Sequence, residues 1–328
     1  MTDGKPTRNL ALELARVTEA AALAAGRWMG RGDKIAADKA AVDAMRLVMN
    51  TIQMDGIIVI GEGEKDEAPM LYNGERLGTG TDPQVDIAVD PIDGTRPMAL
   101  GLPNAISTVA LAPRGTMFNP GPIVYMEKIA VGPEARGVID INAPVEDNLY
   151  KIARARGKDL NDLTAVILDR ERHTELIARV RKTGARIFLI PDGDVAGALM
   201  TAWETSHVDV LLGIGGTPEG VIAACALRAM GGAIQGRLYP RNSEEARRGR
   251  EAGYDLDKVL TLDDLVSSDD VFFAATGLTD GVFLKGVTYF HDGAETDTLV
   301  VRGLTGTIRH ITATHRLSKL GAISPIEY

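Results

Sequence analysis

Hydrophobic positions recur along the chain with two different periods. Leu10, Leu14, Val17, Ala21 and Trp28 fall at helical spacing and predict an amphipathic helix over 8–29. The Gly30-Arg31-Gly32-Asp33 turn ends it, and a second helix follows with Val42, Met45, Met49 and Ile52 on one face. The run Ile57-Ile58-Val59-Ile60 reads as a buried strand that breaks into Gly61-Glu62-Gly63-Glu64-Lys65-Asp66-Glu67. Val85, Ile87 and Val89 predict a strand too, since β-branched residues suit a pleated, packed surface. Pro91 has no N–H for a ladder, so this strand is expected to leave the sheet at Asp90. Residues 105–112 and 125–131 alternate like antiparallel strands of one meander, and a helix over 145–156 closes at Gly157. A boundary is placed there, giving halves 1–157 and 158–328.

The second half changes rhythm. Strands are expected at 164–168, 185–190 and 208–212, and helices at 172–182, 195–203 and 219–230. Such alternation predicts parallel βαβ units, hence an α/β fold. Residues 241–252 read as a charged, exposed helix, and 281–290 and 299–302 as strands of the tail. Each βαβ strand ends in polar residues: Asp169-Arg170-Glu171-Arg172-His173, Asp192-Gly193-Asp194, and Gly213 to Glu219. Open α/β sheets bind ligands at the carboxyl ends of their strands, so these segments are expected to converge on one edge.

Composition narrows the partners. At 45% hydrophobic and 25% charged residues over 328 positions, the chain has material for a large core. Its net charge of −9 argues against nucleic acid or an anionic membrane as the main partner. It does not argue against phosphorylated substrates where bound cations invert the local field. The single cysteine, Cys225, lies in an apolar stretch; no intramolecular disulfide can form, and a reducing, cytoplasmic setting fits. Glu13, Arg16, Glu19 and Arg27 break the first apolar stretch, so neither a signal peptide nor a membrane span is read there.

The chemistry concentrates at Asp90-Pro91-Ile92-Asp93-Gly94-Thr95. Two carboxylates three residues apart repel one another unless a cation stands between them, and hard cations take such oxygen ligands. Gly94 lets the backbone approach a ligand, and Thr95 adds a hydroxyl. A plain polar turn uses the same residue types. Glu62 repeats the design at the previous strand end. Asp38, Glu62, Asp90, Asp93 and Glu219 are the acids expected to converge, a set suited to two or three Mg²⁺ or Mn²⁺ ions. Arg170 and Arg172 suit a phosphate clamp or a solvated loop; Asp192 and Asp194 suit sugar hydroxyls or the turn and helix cap. His173 is given no role. Gly213-x-Gly215 invites a dinucleotide fingerprint, but Pro218 stands where its third small residue is needed; Pro218 fits better as the first residue of a helix.

These residues resemble the lithium-sensitive sugar phosphatases, which include inositol monophosphatases and fructose-1,6-bisphosphatases. Gly30 to Lys34, Asp38, Ile60 to Glu64, Asp66 to Met70, Tyr125-Met126-Glu127-Lys128, Ile190 to Val195 and Gly213 to Gly220 look like class II, bacterial-type fructose-1,6-bisphosphatase. The resemblance runs from about Leu10 to about His315. It implies a layered α/β/α/β/α sandwich and metal-dependent removal of the 1-phosphate of fructose 1,6-bisphosphate. The 1–157 half would then bind metal and the 158–328 half substrate. Carried over, Asp38, Glu62, Asp90, Asp93 and Glu219 would be metal ligands. Thr95 would orient the attacking water, with Asp38 and Glu62 beside it in the catalytic set. Asp93, Gly94, Thr95, Tyr125, Arg170, Arg172, Asp192, Asp194 and Gly216 would hold the substrate. Asp93 departs from the Glu often found there in class II enzymes. Sedoheptulose 1,7-bisphosphate is a second possible substrate, gluconeogenesis a fitting role, and a homodimer or homotetramer fits family habit. The alternatives are an inositol monophosphatase-like or nucleotide phosphatase of the same fold, a nicotinamide-dependent oxidoreductase, and a non-catalytic sugar-phosphate sensor.

Overall fold

The computed structural model describes residues 10–61 and 71–328; Glu62 and the 66–70 motif lie outside the described residues. The chain opens with α1 (Ala11–Gly26) and α2 (Lys34–Met49), the latter capped by Asp33, whose carboxylate accepts the Ala36 N–H at 2.9 Å. Then come β1 (Asp55–Ile60), β2 (Arg76–Leu77), β3 (Gln84–Asp93), α3 (Thr95–Leu100), β4 (Ile106–Pro113), β5 (Tyr125–Val131) and α4 (Val145–Ala155). The βαβ portion comprises β6 (Thr164–Leu168), α5 (Thr174–Lys182), β7 (Arg186–Ile190), α6 (Asp194–Met200), β8 (Val210–Gly216), α7 (Thr217–Met230) and β9 (Ala233–Leu238). The chain ends with α8 (Ser243–Glu251), α9 (Leu262–Leu265), β10 (Phe272–Gly277), β11 (Thr288–Phe290), β12 (Gly293–Arg302), β13 (Thr307–Arg316) and α10 (Leu317–Ile323).

Two mixed sheets result. The first runs β11-β12-β10-β4-β3-β1-β2, with β13 on the other side of β12; the second runs β7-β6-β8-β5-β9. β6 pairs in parallel with β7 and β8, as the strand–helix rhythm predicts. The layers follow from which faces are apolar. α1 and α2 cover one face of the first sheet, through Leu14, Leu23, Val42 and Met45 against Ile87, Val89 and Val300. From Gly220 to Leu227 α7 carries only apolar residues, and a stretch of that kind must be covered on every side. It lies with α6 between the two sheets, where Val221, Ile222 and Leu227 pack among Ala88, Ala110, Met126 and Val166. α4 and α5 close the outer face of the second sheet, through Leu149, Ile152, Ile177 and Val180 against Ala165 and Ile167. The fold is therefore the layered α/β/α/β/α sandwich.

Several expectations change. β3 does not end at Asp90. It continues to Asp93 through a register shift opposite β4, and Pro91 sits in that irregularity, where a strand tolerates a residue with no N–H to donate. Residues 105–112 and 125–131 do not share a meander. β4 is buried over seven of its eight positions, pairs with β3 and β10 inside the first sheet, and hands over to β5 in the second. Strand membership also cuts across the 157/158 division: β5 joins the second sheet, while β10 and β12 return to the first. Of 281–290 only β11 is a strand, and β13 is a ten-residue strand that the sequence pattern had not flagged. Its exposure alternates only weakly, because it is an edge strand half in solvent. Among the described residues no helix is long and apolar enough to cross a membrane. Cys225 is wholly buried in the central layer, which pushes its thiol up to about 12.

Candidate active site

The polar strand ends meet where the central helices begin. Lys128 is the clearest case. On β5, Met126 and Ala130 face the central layer while Ile129 and Val131 face the outer one, so Lys128 points inward among apolar neighbours. It is 3% exposed, and its Nζ stands 2.6 Å from Asp194 Oδ2 and donates to the Gly216 carbonyl at 2.7 Å. Asp194 Oδ2 takes no hydrogen bond among the described residues, so the ion pair with the lysine is what compensates it.

Asp93 is buried at the end of β3, and its Oδ2 accepts the Ala196 N–H of α6 at 2.9 Å, which ties the first sheet to the central helices. Burial, and then the charges of Asp194, Glu219 and Asp192, push its carboxyl well above the usual range. Burial and Asp194 likewise raise Glu219 to about 7, against the pull of Lys128. Asp93, Asp192, Asp194 and Glu219 thus form one acidic cluster, with Lys128 against Asp194.

The local sequence explains the closeness. A Cβ at Gly215 would lie 1.9 Å from Asp194 Oδ2, and one at Gly216 would lie 1.7 Å from Glu219 Oε2. Glycine at both positions leaves room for the carboxylates.

Tyr125, Arg170, Arg172, Asp192, Asp194, Gly216 and Glu219 all line one cavity of about 380 Å³. Arg172 lies 5.1 Å from the centre of the Tyr125 ring and gives Nε and Nη2 to the Ile214 carbonyl at 3.1 and 2.8 Å. Arg170 donates to the carbonyls of Asp169 and Pro191 and faces Asp192 at 3.4 Å. Glu219 also lines an adjoining cavity of about 370 Å³ with Gly61 and Asp90. It therefore stands at the wall between the two. Asp90 Oδ1 accepts the Ile92 N–H at 3.1 Å, across the irregularity in β3.

The remaining pair lies at the start of α3. Gly94 adopts φ 95°, and Thr95 follows as the first helical residue. The Thr95 hydroxyl lies between the Ile92 carbonyl, at 3.2 Å, and the Asp38 carboxylate of α2; its one proton can serve one acceptor at a time. Burial raises Asp38 to about 6, opposed by Lys34 and by the Thr95 hydrogen bond.

Among the described residues no three His, Cys, Asp or Glu side chains form a group able to hold a metal ion, and Glu62 lies outside that set. The expected acids fit divalent cations by donor type and by surplus charge, since all donors are carboxylate oxygens and, among the described residues, Lys128 faces Asp194 and Arg170 faces Asp192 while the charges around Asp93 still raise its pKa. Larger hollows, about 720 and 520 Å³, lie in the outer layer against α1, α2 and residues 323–328, away from this chemistry.

Three contributors escaped the sequence reading. Lys128 had a usable signal, a charge on an inward-facing position of an apolar strand. His173 is buried; its Nδ1 lies 2.8 Å from the Leu168 carbonyl and its Nε2 accepts the Ile214 N–H at 2.8 Å. It thus joins the ends of β6 and β8, and burial lowers its pKa, favouring the neutral ring this pattern needs. Arg241 was assigned to an exposed charged helix, yet it lines the Tyr125 cavity with its guanidinium 5.8 Å from the ring centre. Only the pairing of β5 with β9 brings it there.

Comparison with known proteins gives the same grouping. The family described as bacterial fructose-1,6-bisphosphatase, glpX-encoded, matches residues 8–315. Fructose-1,6-bisphosphatase 1 class 2 of Escherichia coli K12 is 50% identical over 325 residues, 95% of this chain and 96% of the relative. The class 2 fructose-1,6-bisphosphatases of E. coli O6:H1 and Shigella flexneri match to the same extent. With the match covering nearly the whole sandwich and both cavities, the chain belongs to the bacterial, class II fructose-1,6-bisphosphatase family.

Proposed function

We propose that the chain hydrolyses the 1-phosphate ester of fructose 1,6-bisphosphate, giving fructose 6-phosphate and inorganic phosphate. The observation that carries this is the lining of one cavity, which joins guanidinium groups gathered at Tyr125 with the carboxylates Asp192, Asp194 and Glu219. The guanidinium groups hold the phosphate that is not cleaved. Asp192 and Asp194 accept hydrogen bonds from sugar hydroxyls. Glu219 marks the way to Asp90, so the scissile phosphate sits between Glu219, Asp90 and Thr95.

Asp38, Glu62, Asp90, Asp93 and Glu219 would hold the divalent cations, Mg²⁺ or Mn²⁺, two or three in number. When bound, these ions supply positive charge for the phosphate oxygens and acidify water. Thr95 orients the attacking water by its hydroxyl, and Asp38 sets which way that hydroxyl points. Water oxygen bonds to phosphorus, the phosphorus–oxygen bond to C1 breaks, and the sugar oxygen takes a proton. Lys128 and His173 keep Asp194, Gly216 and the β6 and β8 ends in place.

A cytoplasmic place in gluconeogenesis, action on sedoheptulose 1,7-bisphosphate, assembly as a homodimer or homotetramer, and kinship with the lithium-sensitive phosphatases belong to the same reading. So does the division of labour between a metal-binding 1–157 and a substrate-binding 158–328.

The test is phosphate release from fructose 1,6-bisphosphate with Mg²⁺, Mn²⁺ or chelator. Inositol 1-phosphate, an adenosine bisphosphate and sedoheptulose 1,7-bisphosphate run beside it. Metal-dependent turnover with the highest kcat/KM for the fructose substrate is expected. Thr95→Ala should lower kcat by roughly 100-fold or more with little change in KM. Preference for the inositol or nucleotide substrate would overturn the assignment of the guanidinium groups; unchanged kcat would remove Thr95 from the mechanism.

A further inference from the structure

We propose that Arg241 is the principal anion-binding residue of the Tyr125 cavity and sets the preference for a bisphosphate over a monophosphate. This rests on the reading above, that the cavity holds the phosphate remote from the cleaved ester.

The argument compares how three guanidinium groups spend their donors. Arg172 directs Nε and Nη2, its bidentate edge, at the Ile214 carbonyl. Arg170 directs Nη1 at two backbone carbonyls and Nη2 toward Asp192. Both are therefore largely engaged in holding the loop after β6 against the ends of β7 and β8. Arg241 differs. Its Nε lies 3.2 Å from Glu245 Oε2, and the same oxygen accepts its backbone N–H at 2.6 Å. Among the described residues, both Nη groups of Arg241 make no hydrogen bond. They are the pair of parallel N–H donors that matches a phosphate in fork geometry.

The group is also held in place. Glu245 is 6% exposed and belongs to the first turn of α8, whose cap Asn242 accepts the Glu245 N–H at 2.9 Å. Arg241 precedes that cap, so its backbone is fixed at the helix start. Its guanidinium lies 5.8 Å from the Tyr125 ring centre, with Arg172 at 5.1 Å from the same ring. An anion drawn in by Arg170 and Arg172 thus meets, beside the tyrosine, a third cation with open donors. Charge-assisted hydrogen bonds of this kind are the strong ones, and losing them without losing the fold shows in binding.

The experiment measures kcat and KM for fructose 1,6-bisphosphate and for fructose 1-phosphate in wild type, Arg241→Gln and Arg241→Lys. For Arg241→Gln we expect KM for the bisphosphate to rise roughly 10- to 100-fold, with kcat and both constants for the monophosphate within about threefold. Arg241→Lys should recover part of the loss, since it restores the charge without the fork. An unchanged KM for the bisphosphate overturns the proposal. So does an equal loss on both substrates, which would mark a structural role. Failure of the underlying reading looks different: the wild type itself would then show no preference for the bisphosphate, whatever the variants do.

Discussion

Replacing Lys128 by Met keeps most of the side chain's volume and removes its charge. The consequence follows from the neighbours. Lys128 and Asp194 are 3% and 8% exposed at the side chain, with Nζ and Oδ2 2.6 Å apart. The variant leaves the Asp194 carboxylate without its lysine, beside Asp93 and Glu219, whose pKa values the Asp194 charge already raises. Breaking one side of a buried ion pair costs about 3–5 kcal/mol, because the remaining charge stays desolvated. The Gly216 carbonyl also loses its donor, at about 1 kcal/mol. Urea unfolding in chelator, followed by the fluorescence of Trp28 and Trp203, measures the total. Lys128→Met should lose about 4–6 kcal/mol, and the double variant with Asp194→Asn should recover most of it. A loss below about 1 kcal/mol, or a double variant no more stable than the single one, would refute the claim that Lys128 serves to neutralise Asp194.

Two further outcomes test the carboxylates themselves. Asp38, Glu219 and Asp93 all have raised pKa values, the first to about 6 and the second to about 7. The fold favours their protonated forms, so this stability is fully present below about pH 4 and is lost as pH rises through 6 to 7 in metal-free protein. Divalent cations bind the ionised forms. The rise in melting temperature caused by Mg²⁺ or Mn²⁺ should therefore grow between about pH 5 and pH 8, and a rise independent of pH would count against these acids as ligands. Gly216→Ala should separate activity from stability. Gly216 has φ −66°, which any residue accepts, but an added Cβ would stand 1.7 Å from Glu219 Oε2 and displace that carboxylate. Phosphate release should fall by roughly 10-fold or more with stability within about 1 kcal/mol; a variant that keeps full activity would take Glu219 out of the reaction.

What could be read from the residues in order was local. The helices at 11–26 and 34–49, the βαβ rhythm and the polar strand ends depend on periodicity over a few turns, and these appear in the structure. What could not be read depends on which strand pairs with which. β4 and β5 both look like half-buried antiparallel strands, yet one is a central strand of the first sheet and the other of the second. The site inherits the same limit. The Asp93 bond to the Ala196 N–H spans 103 residues, and that between Lys128 and the Gly216 carbonyl spans 88. No local pattern contains them. The candidate acids were visible because glycine and proline frame them at strand ends. Arg241 was not, because a charge at a helix start looks the same whether it faces water or a cavity; Lys128 was marked only by its place on the inward face of an apolar strand. The central layer explains why these unlike pieces meet. The apolar stretch of α7 from Gly220 to Leu227 has to be enclosed by both sheets, and enclosing it brings the carboxyl ends of β3 and β8 to the N-terminal ends of α6 and α7. Burying one helix and assembling the carboxylates are in this fold the same geometric event.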